Sequence, residues 1–247
     1  MKTIAALCLL VLVAAACSPA IPADEYHSIL IPTYDPAATT FSLPTAIPTP
    51  APLPTTAFDP PWPLPHSDDF SDPASGWETG SWERGSVEYA DGKYRVTALG
   101  DAWFMWGEPY RKLSDAVMEV DAAQVTGPES NNTGYGFFCR HNLTEDSSAG
   151  YALLISGDGY YSIQKSTGGD YQFLLEWIQS DAILSPPAVN RLRAECVEST
   201  MRLSVNGELL TEVTDPDFPV GDIALVAISF EPEPVTVEFD NFLISEP

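Results

Sequence analysis

The chain has 247 residues, 45% of them hydrophobic, and its 11 Lys and Arg stand against 35 Asp and Glu, for a net charge of -24. A negative field of this size repels phosphates and anionic lipid headgroups, which excludes nucleic-acid binding as a function. The same acidity predicts a monomeric domain and leaves the binding of a divalent cation open.

Histidine is scarce, since the chain has three and two of them, His27 and His66, lie in a proline-rich segment. A metal site built from clustered histidines is therefore excluded. A Ser-His-Asp triad would have to use His141, and the G-x-S-x-G motif of serine hydrolases does not occur in the sequence. These observations argue against serine hydrolase chemistry.

The N-terminal segment has the features of a bacterial export signal. Lys2 supplies a positive charge, Ile4–Val13 form an apolar core too short to span a bilayer, and Ala14–Ala16 precede Cys17. Small residues before a cysteine resemble the lipobox of bacterial lipoproteins, which implies a signal peptide over residues 1–16 and lipidation of Cys17. The expected location is the cell membrane, with the chain lipid-anchored on the extracytoplasmic side. Ordinary secretion after cleavage at an Ala-x-Ala site is the alternative.

Residues 17–66 form a proline-rich stalk. From Ser18 to His66 the sequence has thirteen prolines and no glycine, lysine or arginine. Such a composition cannot build a packed core, and runs such as Pro48–Pro54 favour the extended polyproline II conformation. We expect a semi-rigid spacer between the membrane and the rest of the chain. A proline-rich ligand for a partner domain is the alternative.

From residue 67 to residue 247 the pattern changes to short alternating segments separated by turn residues. Asp91-Gly92, Gly157-Asp158-Gly159 and Asn206-Gly207 lie between apolar runs and favour tight hairpins. Many short strands at regular spacing predict one all-β domain, a sandwich or a barrel. Tyr171–Leu184 is compatible with a helix, although a strand that runs into a loop is favoured. The predicted strands are Val87–Ala90, Lys93–Leu99, Ala102–Glu108, Asp115–Val125, Gly134–His141, Gly150–Ser156, Tyr160–Lys165, Arg191–Val197, Met201–Val205, Ile223–Phe230 and Val235–Leu243.

The predicted domain contains two cysteines, Cys139 and Cys196, and strand alternation places both side chains inward. In an oxidising compartment we expect them to form a disulfide. Closing the loop of 57 residues between these two cysteines would stabilise the fold by roughly 4 kcal/mol. The alternative, Cys139 with His141 as a nucleophile pair, requires a free thiolate.

Several short motifs follow one another between residues 67 and 247. They are Asp68–Asp72 with Gly76-Trp77, Tyr135–Arg140, Ile155–Tyr161, Asn190–Cys196, Val205–Gly207 and Phe239–Phe242. Together they resemble the concanavalin A-like lectin/glucanase superfamily, in particular its keto-disaccharide-hydrolase-like branch in bacterial lipoproteins. The resemblance implies a jelly roll of two antiparallel sheets in which the opening and closing motifs lie together. It also implies a concave sheet, a surface that this superfamily often uses for sugars.

The resemblance also implies a metal. In laminarinase-type relatives an Asp of the last strand helps to bind a structural Ca²⁺, and Asp240 takes the matching position here, with Asp69 as a candidate neighbour. Carboxylates together with loop carbonyls and water could supply the six to eight oxygens that Ca²⁺ requires. The alternative is that Asp240 only caps the end of a strand. No other cofactor is implied.

Catalytic carboxylates are not evident. Laminarinase-type enzymes carry a Glu-x-Asp-x-x-Glu strand, and Glu119–Gln124 imitates it with Gln124 in place of the last carboxylate. A glycosidase needs two carboxyl groups, so no catalytic residue is assigned. The segment is interpreted as an ordinary strand with Met118, Val120 and Ala122 inward.

Sugars are usually held by aromatic ring faces and a few oriented polar groups. Aromatic and polar residues of this kind occur in and near the predicted strands, around the sheet face opposite to the one that carries Cys139. Ile223–Phe230 is apolar on both alternating faces, which predicts that part of the outer face of its sheet is covered. The candidate ligand-binding residues are Trp103, Trp106, Arg140, Tyr151 and Trp177.

The favoured function is that of a lipoprotein whose β-sandwich binds a glycan or cell-surface polymer without catalysis. A glycoside hydrolase and a structural or protein-interaction module of the cell envelope are the alternatives. The expected partners are the membrane, through the lipid anchor, and a glycan or surface polymer.

Overall fold

The structure, a computed structural model, describes residues 63–144 and 147–247. The predicted signal peptide, Cys17 and most of the stalk lie outside the described residues. No helix within these two ranges is long and apolar enough to cross a membrane. The strands are β1 His66–Asp68, β2 Gly80–Trp82, β3 Gly85–Ala90, β4 Lys93–Ala98, β5 Met105–Gly107, β6 Lys112–Leu113, β7 Ala116–Thr126, β8 Thr133–Thr144, β9 Ser147–Ile155, β10 Tyr160–Thr167, β11 Asp170–Gln179, β12 Asn190–Val197, β13 Thr200–Val205, β14 Glu208–Thr214, β15 Gly221–Ser229 and β16 Val235–Ser245.

These strands form two antiparallel sheets, so the predicted all-β sandwich is confirmed. One sheet has nine strands in the order β14-β13-β12-β7-β16-β4-β3-β2, with β1 also paired to β16. The other has seven strands in the order β11-β10-β9-β8-β15-β5, with β6 also paired to β15. In the segment Tyr171–Leu184, for which a helix was the alternative, residues up to Gln179 belong to strand β11 and the rest form a loop.

Alternation of apolar and polar residues explains most of the strands. In β12 the side chains are alternately buried and half-buried, with Leu192, Ala194 and Cys196 facing the other sheet. Turn residues join the strands where they were expected, since Asp91-Gly92 and Asn206-Gly207 all have left-handed φ angles of 53° to 86°. The strand predicted from Ala102 begins only at Met105, because Ala102 itself has a left-handed φ of 57°.

The opening and closing motifs lie together, as the resemblance implies. Strand β1 pairs with β16 in a register that places His66 opposite Ile244. The Phe70 ring packs against Tyr94, with centroids 5.4 Å apart, and the Trp77 ring packs edge-on against Phe242 at 5.0 Å. The chain therefore enters and leaves the sandwich on neighbouring strands.

The disulfide between Cys139 and Cys196 is present, with an S–S distance of 2.07 Å. It joins β8 of the seven-stranded sheet to β12 of the nine-stranded sheet. Both sulfurs lie in the core among side chains from the two sheets. The bond therefore links the two layers directly, and it leaves no free thiol at Cys139 for the alternative nucleophile.

Candidate binding site on the outer face of the seven-stranded sheet

The outer face of the seven-stranded sheet, which points away from the core, is apolar. Phe138, Leu154 and Val226 are almost completely buried there in a cluster separate from the core. Trp106 and Tyr171 pack against this cluster. Strand β15 is buried at every position, as its apolar run predicts.

Rings from opposite edges of this sheet meet over its middle. Phe104, just before β5, has its ring centroid 4.6 Å from that of Tyr171 on β11. The strand order places β5 and β11 at the two ends of the sheet. Neighbouring strands lie about 4.8 Å apart, so a flat sheet would separate these two strands by roughly 24 Å. The outer face must therefore be concave.

An open cavity of about 600 Å³ lies between this concave face and the β2–β3 hairpin of the nine-stranded sheet. We call it the aromatic groove. Trp82 and Trp103 are 46% and 50% exposed, so solvent and solutes can reach their rings. Arg84 places its guanidinium carbon 3.0 Å from the centre of the Trp103 ring, which adds a positive charge to the wall. The aromatic residues that line the groove are Trp82, Trp103, Phe104, Trp106 and Tyr171.

A β-bulge brings a histidine to the concave face. Between Phe138 and Asn142, β8 has one residue more than either neighbouring strand, and Arg140 takes a left-handed φ of 51°. The extra residue shifts the alternation, so that His141 follows Phe138 on the concave face and their rings stack at 4.7 Å.

Two glycines leave room for this bulge. A Cβ on Gly150, in β9, would lie 2.8 Å from Cα of His141. A Cβ on Gly221, in β15, would overlap the carbonyl group of Arg140. Larger residues at either position would therefore push the bulge out of place.

His141 has a hydrogen-bond partner at each ring nitrogen. Nε2 lies 2.9 Å from Oγ of Ser148, and Nδ1 lies 3.2 Å from Oε1 of Glu108. The same Glu108 oxygen accepts a hydrogen bond of 2.9 Å from Nε1 of Trp106. His141 and Glu108 are buried, whereas Ser148 is half-buried and lines the aromatic groove.

Two further ionisable groups at this end of the groove have raised pKa values. Burial raises the pKa of Tyr171, which lines the groove beside Ser148. Burial, followed by the negative charge of Glu108, raises the pKa of Asp222. Lys112 lies 3.8 Å from the Asp222 carboxylate and offsets part of this effect.

A second, smaller cavity of about 200 Å³ lies near the start of β8. Trp177 forms one wall, with its ring edge-on against Phe230 at 5.8 Å. Polar side chains of Asn132, Ser156 and Asp158 form much of the rest. We call it the polar pocket.

The five candidate ligand-binding residues are therefore divided. Trp103 and Trp106 lie together in the aromatic groove, and Trp177 lies in the polar pocket. Arg140 is a correction, because the bulge turns its buried guanidinium to the carbonyls of Ser114 and Phe218, at 2.8 and 3.2 Å.

Tyr151 is a second correction. It pairs with Cys139 across β8 and β9, and directly paired residues share a face, so its ring lies in the core. Its hydroxyl donates to Oδ1 of Asp215 at 2.6 Å. A ligand on the concave face cannot reach it.

The strand that imitates the laminarinase motif lies in the nine-stranded sheet. Glu119 accepts hydrogen bonds from Arg191 and Arg193, at 3.1 and 2.5 Å. Gln124 is 2% exposed and points to the opposite, inner side, where it accepts a hydrogen bond from Thr133. The two groups face different sides of one sheet, and the interpretation as an ordinary strand is confirmed.

The predicted metal ligands each have a protein partner. Oδ2 of Asp240 accepts a hydrogen bond of 2.6 Å from Nζ of Lys93, and Oδ1 of Asp69 accepts bonds from the amide and hydroxyl of Ser71. Within residues 63–144 and 147–247, no group of three or more His, Cys, Asp or Glu side chains is placed to hold a metal ion. Calcium binding at Asp69 and Asp240 stays a prediction.

The concave sheet, its covered outer face and the paired opening and closing strands define a concanavalin A-like jelly roll. Solved structures with this architecture superpose on the chain. A carbohydrate-binding module, CBM66, from Bacillus subtilis is 15% identical, with a TM-score of 0.56, over 69% of this chain and 96% of that one. A Bacillus subtilis protein of unknown function with a galectin-like fold is 13% identical, with a TM-score of 0.56, over 73% and 94% of the two chains.

A Bacillus licheniformis beta-glucanase is 11% identical, with a TM-score of 0.55, over 74% of this chain and 98% of that one. At these identities the likeness establishes the fold alone. Neither the known protein-family models nor the curated proteins include a match to this chain.

Proposed function

We propose that the chain is an extracytoplasmic lipoprotein, anchored through Cys17, whose sandwich domain binds a glycan or cell-surface polymer without cleaving its glycosidic bonds. The observation that carries the binding proposal is the aromatic groove, where indole rings about half exposed to solvent surround a cavity of about 600 Å³. Such surfaces stack on the C–H faces of sugar rings.

The groove supplies polar contacts as well as ring faces. Arg84 carries a guanidinium that can donate several hydrogen bonds to hydroxyl groups. Glu78 and Glu83 also line the groove, and burial raises the pKa of Glu78. A saccharide presents hydroxyls that donate and accept, so both kinds of group find partners on it.

Two of the structural relatives support a carbohydrate ligand by their names, one a carbohydrate-binding module and the other a beta-glucanase. The missing glutamate of the Glu119–Gln124 strand favours binding over glycosidic cleavage. A glycoside hydrolase is the second candidate function, and it would have to use other carboxylates, such as those that line the groove.

The test is binding of the full chain to a panel of polysaccharides, measured by titration calorimetry. Trp103→Ala removes an exposed ring from the aromatic groove, and the loss of one stacking contact of about 1 kcal/mol is expected to weaken binding roughly fivefold to tenfold. Trp177→Ala, in the polar pocket, is the matched control and is expected to leave affinity unchanged.

Each contrary result has a distinct meaning. If Trp177→Ala weakens binding and Trp103→Ala does not, the ligand occupies the polar pocket. If no polysaccharide binds at millimolar concentration, the domain is a structural or protein-interaction module. Release of reducing sugars that depends on a groove carboxylate would establish a glycoside hydrolase.

The anchor is tested independently of the ligand. Each buried CH₂ of an acyl chain contributes about 0.8 kcal/mol, so a lipidated Cys17 would hold the chain in the membrane fraction. Cys17→Ser is expected to prevent lipidation and to remove the anchored form. An unchanged membrane fraction in that variant would contradict lipidation at Cys17.

A further inference from the structure

Three side chains form a continuous hydrogen-bonded series at the edge of the aromatic groove. Oγ of Ser148 lies 2.9 Å from Nε2 of His141, and Nδ1 of the same ring lies 3.2 Å from Oε1 of Glu108. A hydroxyl beside an imidazole whose other nitrogen meets a carboxylate is the arrangement that activates a serine for nucleophilic attack. Such a site is recognised by geometry and not by sequence order, so this geometry outweighs the absence of a G-x-S-x-G motif, which on its own argues against serine hydrolase chemistry.

The packing around His141 fixes the orientation of its ring. The ring stacks on Phe138 at 4.7 Å and meets Trp106 edge-on at 5.3 Å. Trp106 also donates from Nε1 to the Glu108 oxygen that faces the imidazole. The carboxylate is therefore held in place, and it favours the tautomer that carries its proton on Nδ1 and leaves Nε2 free to accept one.

The position of the bulge adds a second argument. Without it, regular alternation would turn His141 toward the core, away from the groove. The bulge instead aims the imidazole at Ser148. Positions 150 and 221 lie so close to the backbone of the bulge that only glycine fits at either of them. Bulges that re-aim one side chain occur preferentially beside active sites.

We propose that Ser148 is a nucleophile, activated by His141 and supported by Glu108 as a positioning residue, and that the site hydrolyses carboxylic esters. His141 Nε2 takes the proton of Ser148 as Oγ bonds to the ester carbonyl carbon. Collapse of the tetrahedral intermediate breaks the bond to the alcohol oxygen, which leaves with the proton from His141. Water then attacks the acyl-serine, again giving a proton to His141, and releases the carboxylic acid as Ser148 regains its proton.

Tyr171 lines the same groove as Ser148 and is the candidate group to stabilise the negative oxygen of the tetrahedral intermediate. Burial raises the pKa of Tyr171, so its hydroxyl stays protonated and able to donate. A tyrosine hydroxyl is one of the groups that serve this purpose in acyl transfer. Arg84, on the wall of the same groove, adds positive charge.

The substrate class follows from the groove. Its walls are mainly aromatic, so they suit both an acyl group and the C–H faces of sugar rings. The substrate would therefore be an O-acylated saccharide, and this part of the inference rests on the proposed glycan binding. Ester hydrolysis by Ser148 does not rest on it.

The test uses the full chain and two ester-directed probes, a fluorophosphonate that phosphonylates activated serines and p-nitrophenyl acetate. The wild type is expected to carry one phosphonate adduct, located at Ser148 by peptide mass spectrometry, and to release p-nitrophenol with saturable kinetics. Ser148→Ala is expected to lose the adduct and to lower kcat roughly 10²- to 10⁴-fold. Ser204→Ala, on β13 in the other sheet, is the matched control and should behave as the wild type.

Glu108→Gln separates positioning from structure. It keeps the shape of the side chain but can favour the wrong imidazole tautomer, so kcat should fall at least about tenfold while KM changes little. The inference is overturned if the wild type acquires no adduct at Ser148, or if Ser148→Ala releases p-nitrophenol as fast as the wild type.

The two proposals can fail separately. Release of acetate from an O-acetylated polysaccharide, lost in Ser148→Ala, would support the substrate class. Turnover of p-nitrophenyl acetate without polysaccharide binding would retain the nucleophile and refute the glycan proposal. Polysaccharide binding without a Ser148 adduct would support the glycan proposal and refute Ser148 as a nucleophile.

Discussion

The outer faces of the two sheets differ in their side chains: those of the nine-stranded sheet are largely charged, and those of the seven-stranded sheet are largely apolar. On the nine-stranded sheet, charged side chains pair across strands, as in the salt bridges of Arg191 with Asp121 and of Arg95 with Glu238. On the seven-stranded sheet the corresponding positions hold Phe138, Leu154 and other buried apolar residues. The charged side chains of the nine-stranded sheet pair with one another, whereas the outer face of the seven-stranded sheet is concave and holds open cavities.

This contrast explains why the two faces differ in what they can do. Paired charges on an exposed sheet satisfy each other and contribute little individually to stability. On an aromatic concave face, a ligand that covers the exposed rings gains free energy by removing them from water. Buried groups of this face, such as His141, are held by packing in fixed orientations. The proposed ligand binding and the proposed ester chemistry both lie at the seven-stranded sheet, with Trp82 and Arg84 of the β2–β3 hairpin as one wall of the groove.

The largest effect that tests the comparison comes from one substitution made on each face. Leu154→Ala opens a cavity in the buried apolar cluster and is expected to lower the free energy of unfolding by about 2–5 kcal/mol. Leu243→Ala, on the nine-stranded sheet at 36% exposure, should cost less than about 1 kcal/mol. Urea denaturation of both variants measures the difference, and equal costs would refute the proposed contrast.

A smaller effect distinguishes the charged groups of the two faces by pH. Burial alone would raise the pKa of Glu119, but hydrogen bonds from Arg193 and Arg191 outweigh it and the net pKa is lowered. The carboxylate thus stabilises the fold above its unfolded-state pKa, and this contribution is lost as pH falls through the lower folded-state value. Glu119→Gln should therefore lower the free energy of unfolding at pH 7 by about 1 kcal/mol or less, and the resulting drop in melting temperature should shrink in acid.

Substitution of Asp222 should affect stability at pH 7 in the opposite direction to substitution of Glu119. Its raised pKa means that the folded state prefers the protonated carboxyl, so ionisation costs stability as pH rises through the folded-state pKa. Asp222→Asn is expected to raise the melting temperature slightly at pH 7 and to have no such benefit below the unfolded-state pKa. The same trend with pH in both variants would contradict the assignment.

The smallest expected effect concerns calcium. If Asp240 and Asp69 bind Ca²⁺, the metal should raise the melting temperature of the chain and EDTA should reverse the rise. Because Lys93 already forms a salt bridge with Asp240, the gain should be modest. A melting temperature that neither Ca²⁺ nor EDTA changes would refute this site.

Much of the fold could be predicted from the sequence because it depends on local patterns. Alternation and glycine turns located most of the strands, and the inward positions of Cys139 and Cys196 predicted their disulfide. The double-sided burial of β15 followed from its apolar run. These features need no knowledge of which strand lies beside which.

The candidate site depends on pairings that the sequence does not state. Tyr151 could be placed in the core only once its pairing with Cys139 was known. Arg140 and His141 exchange faces because of a bulge, which simple alternation cannot reveal. Gly150 and Gly221 were the available signal, but they become informative only when both strands are known to flank β8.

Those two glycines offer a practical criterion for recognising relatives of this chain. At low sequence identity, the residues of the groove walls could change while the architecture persisted. A homologue that retains small residues at the positions of Gly150 and Gly221, with a histidine between their strands, could form the same irregularity in β8. A homologue with bulky residues there would have to straighten the strand and would carry a different surface at that end of the sheet.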